Sequence, residues 1–273
     1  MSYYKVLGLS KEPFSTSPDP EFFYESVEHR AALMRLMIEI RLKRGLSLIL
    51  GDVGTGKTTL SRKLFQLLNG RPDTLFHMIL DPAFESEELF LIALVRTFKI
   101  EMSMPHPSIL DYREAIKTFL FQKGVEEHKT VVLLVDEGQK LNTLCLEILR
   151  GLLNYETNEF KLLQLVLMSQ MELLPRLREI KNFMDRVSLK YVLNPLDEQE
   201  TSEMVDFRLK QAGFEAGPTL FTREAIGEMH RYTQGYPRQI SRFCHNALRE
   251  LVAQNQSSVD GRLIQMLISR EIQ

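Results

Sequence analysis

The sequence predicts an α/β layered fold with a parallel sheet, followed by a purely helical C-terminal part. Three observations carry that expectation. Strand and helix patterns alternate between Leu46 and Leu193, as they do in layered α/β proteins. The run Val131–Val135 is apolar throughout, as a strand covered on both faces must be. After Pro195 only helical periodicities follow, which places a boundary near Asn194–Asp197 and divides the chain into residues 1–195 and 196–273.

Each element has a local reason. Residues 1–25 mix Pro13, Pro18 and Pro20 with Phe14, Phe22, Phe23 and Tyr24. Proline stiffens the chain and aromatic rings seek burial, so an extended arm packed on the body is expected, its aromatics serving packing rather than base stacking. A helix follows over Glu28–Arg44, with Ser26 placed to cap it and Leu33, Leu36, Met37 and Ile40 at helical spacing. Leu46–Leu50 reads as a strand and Lys57–Leu68 as a helix with Leu60, Leu64, Leu67 and Leu68 on one side. Thr74–Leu80 is a strand; helices over Glu85–Phe98 and Ser108–Gln122 flank the loop of Pro105 and Pro107. Thr130–Val135 is a strand, Leu141–Tyr155 a helix, and Leu162–Met168 and Val187–Leu193 are strands. The tail reads as helices over 197–212, 222–233, 237–254 and 259–270.

Composition removes several classes. Of 273 residues, 44% are apolar and 26% charged, which excludes disordered, collagen-like and low-complexity chains. Lys and Arg number 34 against 36 Asp and Glu, so net charge is −2 and bulk charge makes no general case for nucleic-acid or membrane binding. Two cysteines, Cys145 and Cys244, form no CxxC pair and suit a reducing compartment. No stretch reaches the ~18 apolar residues of a membrane span, and Met1–Ser10 has no signal-peptide core. The expectation is a soluble, cytoplasmic protein. The histidines show no metal spacing such as HExxH.

The chemistry concentrates at two strand ends. Gly51-Asp52-Val53-Gly54-Thr55-Gly56-Lys57-Thr58, followed by Thr59, fits G-x-x-x-x-G-K-[ST] between an apolar strand and a helix. Glycines let backbone N–H groups turn inward around a phosphate, and the helix presents its positive end to the anion. Lys57 would reach the β- and γ-phosphates of ATP, and the Thr58 hydroxyl would ligate Mg²⁺. Downstream, Val131–Val135 runs into Asp136-Glu137. Ligands bind at the carboxyl ends of parallel strands. Asp136 is therefore expected in the Mg²⁺ shell, and Glu137 is expected to polarise the attacking water.

With these motifs stand Tyr4, Leu7-Gly8-Leu9, Pro13-Phe14, Pro18-Asp19-Pro20 and Phe22-Phe23-Tyr24. Further along are Gln139, Gln164–Leu167, Arg186–Leu189, Asn194-Pro195-Leu196 and Gly235-Tyr236-Pro237-Arg238. Together they resemble the AAA+ ATPases and, more narrowly, the ATPase domain of the general secretion pathway protein A (ExeA-type) family. The resemblance implies a P-loop NTPase fold with a five-stranded parallel sheet of order 5-1-4-3-2 and a helical lid, ATP binding between them. It places Ser169 and Gln170 where such ATPases put a polar sensor, Arg186 where a finger is supplied to a neighbouring subunit, and Arg238 at the second sensor. It further implies a homo-oligomer, ring or filament, that converts nucleotide state into shape.

Two partners fit that resemblance. One is a protein of an envelope, secretion or exopolysaccharide-export system. The other is duplex DNA, as for the related AAA+ ATPases of transposition; near-neutral charge weighs against it. An inactive scaffold is opposed by the intact Lys57, Asp136 and Glu137. The chain departs from the family at Gly138, where alanine is common, at Ser169, where glycine is common, and at Met171, where proline is frequent. Longer members continue into a membrane span and a peptidoglycan-binding region, and those functions are not carried over.

Overall fold

The computed structural model describes residues 2–15, 19–102, 104–215 and 219–272. Pro18 of the arm lies outside the described residues. In chain order the elements are α1 (Tyr3–Val6), α2 (Val27–Arg41), β1 (Leu46–Gly51), α3 (Lys57–Leu68), β2 (Thr74–Ile79), α4 (Glu87–Phe98) and α5 (Ile109–Phe121). There follow β3 (Thr130–Val135), α6 (Thr143–Leu152), β4 (Leu163–Ser169), α7 (Leu173–Glu179) and β5 (Val187–Leu193). The tail is α8 (Glu198–Gln211), α9 (Arg223–Thr233), α10 (Pro237–Ala253) and α11 (Gly261–Ile272). By contact the chain divides into two units. One comprises His29–Asp52 and Leu60–Leu193; the other comprises Met1–Glu28, Val53–Thr59 and Asn194–Gln273.

The first unit is built on a five-stranded parallel sheet in the order β2-β3-β4-β1-β5. Read from the other edge this is 5-1-4-3-2, the order the resemblance implies. Strands β1 and β4 are buried along their whole length, and β3 along all but its first residue. That is why β3 reads as an unbroken apolar run after Thr130, while β1 and β4 are apolar but for the buried Ser47, Gln164 and Ser169. Phe90, Leu94 and Phe98 of α4, Ile116 and Leu120 of α5, and Leu146 and Leu149 of α6 share one core with Leu133, Leu165 and Leu48 of the sheet. Helix ends are set by side chains. Ser86 accepts from the Leu89 N–H at the start of α4, and Ser108 and Asp111 form a reciprocal capping box at the start of α5.

Several local features differ from the sequence reading, among them α1 at the head of an arm expected to be extended and a further turn of helix over Gln122–Glu126 after α5. The helix expected over Leu141–Tyr155 is shorter, because Gly138–Lys140 closes a 3₁₀ turn and Asn142 caps α6 through the Cys145 N–H at 2.9 Å. Helix α7, with Pro175 in its first turn, is additional.

The second unit packs the arm against the C-terminal helices. Leu9, Phe14 and Phe22 enter the core formed by Leu209 of α8, Ile226 and Met229 of α9, Phe243 and Leu248 of α10, and Ile264 of α11. The arm aromatics Phe14 and Phe22 are thus packing residues. Arg208 of α8 donates from Nε to the Phe22 carbonyl at 3.1 Å and from Nη1 to those of Pro13 and Ser15 at 3.4 and 3.3 Å. The Tyr24 hydroxyl donates to Glu203, and the Ser10 N–H and hydroxyl both donate to the Ala212 carbonyl at 2.8 Å. Among the described residues no helix is long and apolar enough to cross a membrane.

Candidate active site

Strand β1 ends in Gly51 and leads directly into the loop that opens α3. Gly54 and Gly56 hold φ of +87° and +98°, backbone that an L side chain rarely adopts. Asp52 and Val53 are exposed, so the pattern tolerates any residue there, whereas Thr55 is fully buried. Lys57, the first residue of α3, is only 6% exposed; Thr58 and Thr59 are half-buried. Turned glycines, a helix N-terminus and a nearly buried ammonium form a set of groups suited to polyphosphate.

In the same unit as residues 53–59, the start of α10 abuts this loop. The Arg238 N–H donates to the Gly54 carbonyl at 3.4 Å, and a Cβ built on Gly54 would lie 3.0 Å from the Arg238 Cβ. Pro237 occupies the first turn of α10, where its missing N–H costs nothing. The preceding glycine of Gly235-Tyr236-Pro237-Arg238 is dictated by backbone approach. Gly235 has φ +76°, and a Cβ there would fall 1.9 Å from the Leu196 carbonyl oxygen. The Leu196 N–H donates to the Gly235 carbonyl at 2.9 Å, so this segment is held in place by the chain just past β5.

The acidic turn belongs to the sheet unit. Strands β3, β4 and β1 are adjacent and parallel, with Val135 opposite Leu167 and Leu50 opposite Ser169. Register therefore brings Gly51, Asp136 and Ser169 to one carboxyl edge. Asp136 is 2% exposed, and its N–H continues the ladder to the Ile79 carbonyl at 2.9 Å. Its Oδ1 accepts from the Glu137 N–H at 2.9 Å. Glu137 is left-handed, with φ +54°, and opens the 3₁₀ turn. At Gly138 a Cβ would meet the Met168 carbonyl oxygen and the Ser169 Cβ at 3.3 Å. With Ser169 in the next strand, the smallest residue is the one that fits without a shift.

Gln139 and Arg176, to which sequence reading assigned no role in the site, complete this turn. Gln139 Nε2 donates to Glu137 Oε2 at 2.7 Å, and its Oε1 accepts from the Ser169 hydroxyl and the Gln170 N–H, both at 3.2 Å. Arg176 of α7 donates to the Gln139 carbonyl at 2.8 Å and also to that of Leu141. No motif in the sequence singles out Arg176 for this turn. Its partners lie 35 and 37 residues away, and no spacing rule exposes them. Gln170, the expected sensor, engages Gln139 through its backbone.

Arg186 is placed differently. It immediately precedes β5, so it stands at the amino edge of the parallel sheet, not the carboxyl edge. It donates to the Asn182 carbonyl at 2.7 Å and to the Asn154 side chain. The seven residues of β5, at ~3.3 Å each, put it about 20 Å from the edge that carries Asp136 and Ser169.

A family model described as an AAA domain matches residues 40–177, half of the chain, from the end of α2 into α7. The chain belongs to the AAA domain family. The matched span includes the glycine loop, the acidic turn and the Ser169-Gln170 turn; Arg186 and Arg238 lie outside it. The chain is also 38% identical over 248 residues to general secretion pathway protein A of Aeromonas hydrophila, covering 90% of this chain and 44% of that protein. It thus spans under half the length of that relative. Among solved structures, the Aeropyrum pernix ORC1 protein in complex with DNA matches with a TM-score of 0.66 at 14% identity, covering 95% of this chain and 69% of that one. The Thermotoga maritima RuvB Holliday junction branch migration motor matches at 0.58 and 14%, covering 91% and 72%. At such identities these likenesses show a shared fold, and they stop there.

Proposed function

We propose that this AAA protein binds and hydrolyses Mg²⁺·ATP in the cytoplasm, in a homo-oligomer, as a switch for a secretion or envelope-assembly partner. The observation that carries the hydrolytic reading is the conjunction of two unrelated turns. One is a glycine loop with φ +87° and +98° ahead of a nearly buried lysine; the other is a buried aspartate followed by a held glutamate. The secretion partner rests on the 38% identity to general secretion pathway protein A, which favours it over duplex DNA.

In this reading the amides of residues 51–59 and the Lys57 ammonium bind the phosphates. Thr58 and Asp136 supply a hydroxyl and a carboxylate, the hard oxygen donors that suit Mg²⁺. When bound, Mg²⁺ neutralises charge on the β- and γ-phosphates. Glu137 orients a water for in-line attack and takes its proton. Arg238, two residues into α10, adds positive charge near the loop that its own N–H touches. Arg186, at the far edge of its own sheet, serves the site of the next protomer. That makes the contact heterologous, so assembly yields a ring or a filament.

The test pairs two variants. Lys57→Ala is expected to lose ATP binding in an equilibrium titration, and Glu137→Gln to bind ATP normally while turnover falls by ~10²-fold or more. Wild-type affinity in the first, or wild-type turnover in the second, contradicts the reading.

A further inference from the structure

Glu137 sits on a half-exposed turn, where an unheld carboxylate samples several rotamers. Here one side chain ends that freedom. Gln139 is bonded at both ends of its amide: its N–H reaches Glu137 Oε2 at 2.7 Å, and its oxygen takes the Gln170 N–H at 3.2 Å and shares the single proton of the Ser169 hydroxyl, at 3.2 Å, with the Gln170 carbonyl at 3.1 Å. An amide donates from its nitrogen and accepts two bonds at its oxygen without carrying charge. The backbone of Gln139 is pinned in turn by Arg176. Among the described hydrogen bonds none reaches Glu137 Oε1, so one carboxylate oxygen is tied and the other is left to work. The left-handed backbone of Glu137 is the kind of local strain that persists only where surroundings impose it.

We propose that Gln139 is a positioning residue that sets the Glu137 carboxylate by reference to the end of β4. The orientation of the acid then depends on where Ser169 and Gln170 stand. A shift of the β4 turn would reach Glu137 through two hydrogen bonds, with no movement of the strand bearing the acid. This rests on the assignment of Glu137 to water activation made above.

The test uses the full chain with Gln139→Glu, Gln139→Met, Ser169→Ala and the double variant Gln139→Met/Ser169→Ala. Gln139→Glu keeps the acceptor toward Ser169 and Gln170 but sets a second carboxylate against Glu137; Gln139→Met, of similar length, removes all three bonds. Both are expected to bind ATP within about threefold of wild type while kcat falls roughly 10- to 100-fold, the loss of a hydrogen bond to a charged group made effective in the transition state. Ser169→Ala should lower kcat less, and adding it to Gln139→Met should cost nothing further. Urea unfolding of the nucleotide-free proteins should give a coupling between positions 139 and 169, a readout that does not depend on turnover. Unchanged or raised kcat in Gln139→Glu or Gln139→Met with ATP bound normally, or additive losses with Ser169→Ala, overturns the proposal. Glu137→Gln, run alongside, separates the two failures. If it too turns over at the wild-type rate, the role of Glu137 is at fault; if it stalls while the Gln139 variants do not, only the link is wrong.

Discussion

Gly235 shows what a single position can demand. Its φ of +76° alone disfavours a side chain, and the Leu196 carbonyl oxygen 1.9 Å from where a Cβ would stand forbids one without backbone movement. Gly8, in the same unit, has nearly the same φ, +75°, but nothing within 4 Å. Gly235→Ala is therefore expected to destabilise by at least about 2 kcal/mol in urea unfolding, and Gly8→Ala by only about 1 kcal/mol. Equal losses would show that the Leu196 contact is immaterial. The glycines of the phosphate loop were legible in the sequence because their spacing is short and their chemistry fixed. Asp136 and Glu137 were legible because a strand points at them. Gln139 was visible only as part of a resemblance, and Arg176 only as one of several basic residues. Their roles depend on bonds to residues 30 to 37 positions away, which periodicity does not encode.

At the level of elements, β3 was readable because burial on both faces leaves a continuous apolar run, and β4 nearly so, with only Gln164 inside its run. Helix α7 was not readable. It has seven residues with a proline inside its first turn, a position that a helix tolerates but that reads as a break. The arm was legible as something that packs, but its partner was not. Arg208 binds carbonyls 186 to 195 residues earlier in the chain, and Leu9, Phe14 and Phe22 fill a core whose other members come from α8 to α11. The guanidinium is half-buried and satisfies three carbonyls at once, so Arg208→Ala leaves several acceptors unmatched. Urea unfolding should show a loss of about 2 kcal/mol. A change within about 0.5 kcal/mol would mean that the aromatic contacts hold the arm without it.

For the whole molecule, family membership is carried by residues 40–177, and 38% identity ties the chain to less than half of a secretion-pathway protein. In the function proposed, a glycine loop, an acidic turn and an arginine at the opposite edge of the sheet work in one shared cycle. Arg186 cannot serve the carboxyl edge of its own sheet from about 20 Å away, so the catalytic use proposed for it would require a neighbour. The most direct measurement is ATP turnover in a mixture of Glu137→Gln and Arg186→Ala proteins, each assayed alone and then together. Alone, Glu137→Gln should fall by ~10²-fold or more and Arg186→Ala by ~10³-fold or more. The mixture should recover a substantial part of wild-type activity, because an Arg186→Ala protomer retains Glu137 and its Glu137→Gln neighbour supplies the arginine. Wild-type turnover by either protein alone, or no recovery from a mixture shown to co-assemble, would contradict the account.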